Sequence, residues 1–324
     1  MLMSVLLFAV GLVLLIKGGD WFVDGATGIA KRFNLPDIVV GATVVSIGTT
    51  LPEVMVSTTG ALQGSGAMAY GNAIGSIICN TALIAAISIV CNPGPVNTKS
   101  MKTPAIFFFV SAALYCVASY VLGTFPRWMG FVMLSIFVVY TVLTVRNGLK
   151  NPDAAEEEEE EGGKPRTLVM ELVLLVLGAA VIAVGADLLV EHGQIIAIGL
   201  GVPETVVALL FVALGTSLPE LVTTITSLRS GHASLGVGNV IGANVFNLVL
   251  VSGVAVSLAP FDVPCENTLL NTGLNMSLVF EIPVMLGVMS LMIFPALATK
   301  KLHRWQGLLL LGIYIAFCVC QFIL

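Results

Sequence analysis

Charged residues are scarce in this chain of 324 residues, of which only 10% are charged and 57% are hydrophobic. A soluble domain carries roughly a quarter charged residues, so this composition excludes a soluble protein. Apolar runs long enough to cross a hydrocarbon core of about 30 Å recur along the sequence. The chain is therefore predicted to be an all-α polytopic membrane protein.

Histidine is also scarce, and paired cysteines are lacking. The three histidines fall in or near loops, and the six cysteines show no paired spacing. Cysteines inside apolar runs usually behave as small hydrophobes. We therefore expect no disulfide framework, no metal–thiolate centre and no resident cofactor. Since no buried Ser–His or metal–His arrangement is visible, we expect a protein that is not an enzyme.

Hydropathy predicts ten membrane-spanning helices in two groups of five. A first five-helix unit occupies residues 1–146 and a second occupies 167–324. The charge-dense linker 147–166 between them carries the acidic run Glu156–Glu161, which is interpreted as a solvated segment. The spans are expected at about 2–26, 37–62, 67–91, 103–122, 127–146, 167–190, 203–228, 234–258, 278–298 and 304–324.

Basic residues fall almost entirely on one side of this predicted arrangement. Alternate loops lie on opposite sides of the membrane, and twelve Lys and Arg residues collect on one side against Arg127 alone on the other. Lys and Arg are enriched in cytoplasmic loops. We therefore expect both termini outside and the acidic linker in the cytoplasm.

One motif occurs twice, as GTTLPE at 48–53 and as GTSLPE at 215–220, with the copies 167 residues apart. The same offset maps Gly71, Asn72, Gly75 and Asn80 onto Gly238, Asn239, Gly242 and Asn247 without a gap. A single offset over this distance indicates a duplicated unit. Because each unit contains an odd number of spans, the two copies are predicted to run in opposite senses, as in transporters built from inverted repeats.

Each copy of the motif places one carboxylate, Glu53 or Glu220, inside an apolar run, where a charge costs several kcal/mol. Pro52 has no N–H, and its ring clashes with the carbonyl of Gly48, so the helix is expected to be broken there. Lipid offers no partner for the freed carbonyl oxygens, whereas a bound cation does. Inversion would bring the two Glu-bearing helices together from opposite faces of the membrane.

The candidate ligands are all oxygen atoms, from carboxylates, amides, hydroxyls and freed carbonyls. Oxygen donors without His or Cys favour hard cations over zinc or copper, and calcium takes six to eight of them. Two buried carboxylates need compensation, which one Ca²⁺, two Na⁺ or protons can supply. If the protein changes its facing only when the pair is neutralised, exchange of one cation for another follows.

These motifs resemble those of the sodium/calcium exchanger family, within the wider cation/calcium exchanger group. The resemblance implies ten spans in two inverted halves, with Ca²⁺ and Na⁺ as transported ions. It implies that Glu53 and Glu220 are shared carboxylates and that Thr49 and Thr216 give carbonyl oxygens to calcium. The short linker is similar to that of prokaryotic members, which implies the inner membrane. The positions implied to line the sodium sites are Ser46, Thr50, Ser76, Asn80, Ala213, Ser217 and Asn247.

Three departures from the family pattern leave the driving ion open. Ala243 stands where the family usually has Ser, Asn247 stands where many members have Asp, and Ile77 replaces the Asn that the second copy keeps as Asn244. A proton-coupled antiporter is therefore the nearest alternative. A cation channel with the two carboxylates as a selectivity element is a third interpretation. The inverted repeat predicts an axis in the membrane plane, which suits alternating access better than a pore.

Overall fold

The computed structural model describes residues 2–150, 167–199, 215–264 and 274–323. These ranges are almost wholly helical, which confirms the predicted class. In chain order the helices are α1 (Leu2–Phe33), α2 (Asp37–Thr49), α3 (Leu51–Leu62), α4 (Gly66–Cys91), α5 (Thr98–Leu122), α6 (Arg127–Lys150), α7 (Leu168–Gly199), α8 (Leu218–Arg229), α9 (Ala233–Leu258), α10 (Ser277–Thr299) and α11 (Arg304–Ile323).

Eight helices of the described ranges are long and apolar enough to cross a membrane, and the pair α2 and α3 raises this number to nine. That pair is bent by 45° at Thr50, so the predicted break before Pro52 is confirmed. The predicted span 203–228 falls partly outside the described residues, with α8 as its described part. The number of ten spans stays a prediction.

Helix α6 continues to Lys150, four residues beyond the predicted end of its span at 146. This stretch contains no proline before Pro152, and the residue preceding a proline disfavours helical backbone. The first residues of the predicted linker therefore belong to a helix. The acidic run Glu156–Glu161 lies outside the described residues.

Local structure repeats at the same 167-residue offset as the sequence. Helices α3 and α8 correspond residue for residue, and each follows a residue in the bridge region of backbone space. These two residues are Thr50, with φ −85° and ψ −3°, and Ser217, with φ −89° and ψ 5°. The turns that follow contain Gly64 and Gly231, with φ of +82° and +84°, which glycine adopts without strain.

Helices α4 and α9 form the centre of the molecule. In their most apolar stretches 72% and 83% of the residues are buried, against 28% in α1 and 22% in α7. Both central helices change to π-helical geometry at matched positions, over Asn80–Ala85 and Asn247–Val251. Such π segments are frequent at functional sites.

Helices α1 and α7 pack against each other in antiparallel fashion along a line of glycines. A Cβ atom on Gly11 would stand 2.9 Å from the carbonyl oxygen of Gly185, and one on Gly18 would stand 3.1 Å from that of Gly178. Small residues allow this close approach of two backbones within a membrane. At one end of the pair, Arg32 Nε donates to Glu171 Oε2 at 2.8 Å.

Four two-residue strands connect the two copies. Strand β1 (Gly94–Pro95) pairs in antiparallel fashion with β4 (Lys301–Leu302), and β2 (Thr124–Phe125) pairs likewise with β3 (Phe261–Asp262). Strands β1 and β3 are related by the 167-residue offset. Each copy therefore contributes one strand to each of these two small sheets.

Candidate cation-binding site

The two motif carboxylates lie in the first turns of α3 and α8, shortly after Thr50 and Ser217. Glu53 and Glu220 are both 0% exposed and close enough for their charges to interact. Among the described residues none of their four carboxylate oxygens has a hydrogen-bond partner. An uncompensated buried charge is strongly destabilising, so this arrangement demands a cation or protons.

Further oxygen atoms beside the carboxylates also lack partners within the described part of the chain. They are the hydroxyls of Thr50 and Ser217 and the side-chain carbonyls of Asn80 and Asn247. All four residues are at most 1% exposed, and each pair is related by the 167-residue offset. The Asn247 amide group does have a partner, because Nδ2 donates to the carbonyl of Ala243 at 3.1 Å. Oxygen donors held ready in this way suit a hard cation.

Hydrogen bonds that cross between the copies bring the two motifs together. Thr49 Oγ1 donates to Asn239 Oδ1 at 3.2 Å, and Thr216 Oγ1 donates to Asn72 Oδ1 at 3.4 Å. The side chains of Thr49 and Thr50 also approach the carboxylate of Glu220, although neither makes a hydrogen bond with it. Each motif threonine is thus tied to the motif asparagine of the other copy, and the chain segments that join here are 144 to 190 residues apart.

Ser46 and Ser76, two of the remaining predicted positions, are both buried. Ser46 Oγ lies 2.8 Å from the carbonyl of Gly41 and 2.9 Å from that of Asn239, so its hydrogen is used inside the protein. Ser76 is buried on α4. Ala213 lies outside the described residues.

Helix α9 approaches the first half of the broken helix closely enough that backbone meets backbone. A Cβ on Gly238 would stand 2.3 Å from the carbonyl oxygen of Ile38, and one on Gly242 would stand 2.4 Å from Ser46 Oγ. Only glycine allows α2 and α9 to lie at this distance. This contact holds Ser46 and Thr49 against Asn239.

Three residues near the carboxylates were not assigned a role from the sequence. Asn72 and Asn239 lie within the repeated motifs, and their recurrence at the common offset was the signal that could have found them. Thr223 is fully buried on α8 three residues after Glu220, and its hydroxyl has no partner in the described ranges. Its counterpart in the first copy is Val56, so the repeat gives no signal for it.

Comparison with known proteins gives evidence that is independent of this geometry. The family model for the sodium/calcium exchanger protein matches residues 3–146 and 170–323. The chain belongs to the sodium/calcium exchanger family.

Relatives with similar sequences cover nearly the whole chain. A sodium/calcium exchanger of Methanosarcina acetivorans, MaX1, is 29% identical over 98% of both proteins. A membrane protein of Methanocaldococcus jannaschii is 34% identical over 95% of this chain and 94% of its own length. Among solved structures, the sodium–calcium exchanger NCX_Mj soaked with Na⁺ and Sr²⁺ superposes with a TM-score of 0.79, at 32% identity over 97% of both chains.

Membership of this family defines the class of activity. The chain is a multi-pass membrane protein of the cation/calcium exchanger type, and the family comprises transporters rather than enzymes. The two GxxLPE segments and the two GN segments that carried the resemblance all fall within the matched ranges.

Proposed function

We propose that this protein exchanges Ca²⁺ for Na⁺ across the membrane by alternating access, with Glu53 and Glu220 as the carboxylates that both ions share. The observation that carries the proposal is the pair of fully buried carboxylates whose four oxygens have no partner in the described part of the protein. Around them stand the unpartnered oxygens of Thr50, Ser217 and Asn80.

Charge balance explains why such a site exchanges ions. The carboxylate pair carries a charge of −2 when ionised, which one Ca²⁺ or two Na⁺ can neutralise. Occupants that neutralise the same charge compete, so Ca²⁺ and Na⁺ bind alternatively rather than together. Moving the empty site through the membrane interior would expose two uncompensated charges, and this cost favours movement of the loaded forms only.

The halves of the protein are proposed to be inverted five-helix units. Strand pairing supports this arrangement. Helix α5 separates β1 from β2, so the two small sheets lie at opposite ends of that helix. Strands β1 and β3, which correspond in the repeat, belong to different sheets and therefore to opposite ends of the molecule. Inverted halves with a site between them suit alternating access.

The orientation in the membrane follows from the distribution of basic residues. We propose an inner-membrane location with both termini outside and the linker 147–166 in the cytoplasm. In a variant whose six native cysteines are replaced by Ser, a cysteine introduced at residue 151 should react with a membrane-permeant thiol reagent and resist an impermeant one in intact cells. Labelling by the impermeant reagent would show that the protein has the opposite orientation.

Exchange of calcium for protons is the second candidate. Ala243, fully buried on α9, lacks the hydroxyl that Ser76 has at the corresponding position of the first copy. Loss of one oxygen ligand weakens a sodium site, whereas protons need no such cage because neighbouring carboxylates raise each other's affinity for a proton.

Uptake of ⁴⁵Ca²⁺ into proteoliposomes distinguishes these functions. We expect uptake that requires internal Na⁺, that does not occur with internal K⁺, and that is lost in Glu53→Gln and Glu220→Gln. The matched control is Glu281→Gln, which alters a carboxylate on α10 that already accepts hydrogen bonds from Ser277 and Gln321. Uptake driven only by a pH gradient would assign the protein to proton coupling, and uptake without any counter-ion would indicate a channel.

A further inference from the structure

The two copies differ in one hydrogen-bonded contact next to their carboxylates. In the first copy Asn72 Nδ2 donates to Ser57 Oγ at 2.8 Å and to the backbone carbonyl of Glu53 at 3.3 Å. This contact ties α4 to the turn of α3 that carries Glu53. Asn72 therefore holds the carboxylate-bearing turn in place without lying among the unpartnered oxygens.

The corresponding contact is open in the second copy, where the residues at the same offset are Asn239, Thr224 and Glu220. Asn239 Nδ2 and Thr224 Oγ1 are both buried, and neither has a partner within the described ranges. The two side chains lie on adjoining helices, because Thr224 Cγ2 would stand 3.2 Å from a Cβ on Gly236, one turn before Asn239. A donor and an acceptor that could satisfy each other thus remain apart.

Buried polar groups without partners cost free energy, so a conformation that pairs them is favoured locally. The first copy shows how this pairing is made, since an Asn amide is joined there to the hydroxyl of Ser57, which corresponds to the hydroxyl of Thr224. Only one of the two contacts is made in this conformation. Because the corresponding side chains carry the same hydrogen-bonding groups, an amide and a hydroxyl, the difference between the copies is interpreted as a difference of state.

We propose that Asn72 with Ser57, and Asn239 with Thr224, are two positioning contacts that are made alternately during the exchange cycle. In the conformation described here the first contact is closed and the second is open. In the conformation that faces the other side of the membrane, Asn239 Nδ2 bonds Thr224 Oγ1 and Asn72 releases Ser57. This inference rests on the proposed function, in which one site opens alternately to the two sides.

Two variants that remove one hydroxyl each test the proposal, and neither residue belongs to the proposed ion site. Ser57→Ala removes the contact of the conformation described here, and Thr224→Val, which keeps the side-chain shape, removes the contact of the opposite conformation. A ligand's apparent affinity scales with the population of the state that binds it. Loss of one hydrogen bond should shift that population about fivefold.

The measurement is the half-saturating Ca²⁺ concentration on each face, in proteoliposomes of fixed orientation. The ratio of the two values should change about fivefold in Ser57→Ala and by a similar factor in the opposite direction in Thr224→Val. The double variant should return the ratio to that of the wild type. Thr224→Ser, which keeps the hydroxyl, should also behave as the wild type.

The outcomes separate this inference from the proposed function. Two results would overturn the alternating contacts and leave the exchange site intact, provided that the wild type exchanges Ca²⁺. One is a shift of the ratio in the same direction for both single variants, and the other is an unchanged ratio in both. A wild type without Ca²⁺ exchange would overturn the proposed function and the inference together.

Discussion

Replacing Glu53 by Gln should separate the charge of the cation site from its shape. The amide has nearly the same size as the carboxylate, so packing of the fully buried side chain is retained. Two properties should change in opposite directions. Without cations the variant should unfold at a higher temperature than the wild type, because it no longer carries two adjacent buried charges. With Ca²⁺ the order should reverse.

The loss of Ca²⁺ affinity can be worked from the buried position of the pair. Two unit charges about 4 Å apart interact by about 4 kcal/mol at an effective dielectric constant of about 20. Each 1.4 kcal/mol corresponds to about a factor of ten in binding. A divalent ion gains about twice this energy, about 8 kcal/mol, from each carboxylate, and removal of one carboxylate also removes about 4 kcal/mol of repulsion on the other. The net loss of about 4 kcal/mol means that we expect Ca²⁺ to bind about 1,000-fold more weakly.

Thermal unfolding in detergent measures both effects with the same protein. A Ca²⁺ concentration of about 100 times the wild-type dissociation constant should stabilise the wild type by about 2.7 kcal/mol. The same concentration should leave the unfolding temperature of Glu53→Gln unchanged. Glu281→Gln is the control, because its carboxylate is hydrogen-bonded by Ser277 and Gln321 and should show the calcium shift of the wild type.

Two results would refute this reasoning. One is a Glu53→Gln variant with the calcium-induced shift of the wild type, which would place the ion elsewhere. The other is a variant less stable than the wild type in the absence of cations. That result would mean that the carboxylate has a partner and that its role is structural.

Three further predictions concern the surroundings of the site. Ala243→Ser, which restores the hydroxyl found at the corresponding position of the first copy, should lower the Na⁺ concentration for half-maximal exchange several-fold and leave Ca²⁺ affinity unchanged, as measured by flux titration. Gly41→Ala should cost about 3 kcal/mol in stability, because its Cβ would stand 2.2 Å from a carbonyl oxygen of α9, whereas Gly287→Ala, with no atom within 4 Å among the described residues, should cost nothing. Arg32→Gln should lower the unfolding temperature more than Glu171→Gln, because only the first change leaves a buried carboxylate without its cation; equal effects would contradict this.

Several features of the fold could be predicted because short stretches of sequence determine them. The break at Thr50 follows from Pro52 and Gly48, which act on the backbone within one helical turn. The correspondence of α3 with α8 follows from the 167-residue offset. The end of α6 at Lys150 was missed, since hydropathy marks the apolar stretch and not the polar turn that extends a helix beyond it.

The residue types of the candidate site could be predicted from the sequence, but their hydrogen-bond partners could not. Glu53 and Glu220 are predicted as functional residues because a charge within an apolar run is costly in free energy. The family resemblance implies that Ser46 and Thr50 both line the sodium sites. In the structure the Ser46 hydroxyl donates to the carbonyls of Gly41 and Asn239, whereas the Thr50 hydroxyl has no partner among the described residues. Hydrogen-bond partners depend on which helices meet, and periodicity does not contain that information.

By itself the sequence determined that this is a helical membrane protein with a duplicated, carboxylate-bearing motif, because hydropathy and repetition are properties of the linear chain. Tertiary structure decided which atoms of that motif are free to hold an ion. Thr49 meets Asn239 across 190 residues of chain, and Thr216 meets Asn72 across 144. The first of these contacts arises from the packing of α9 against α2, where Gly238 and Gly242 let the backbones approach. The two contacts consume some polar groups and leave the carboxylates of Glu53 and Glu220 without partners among the described residues.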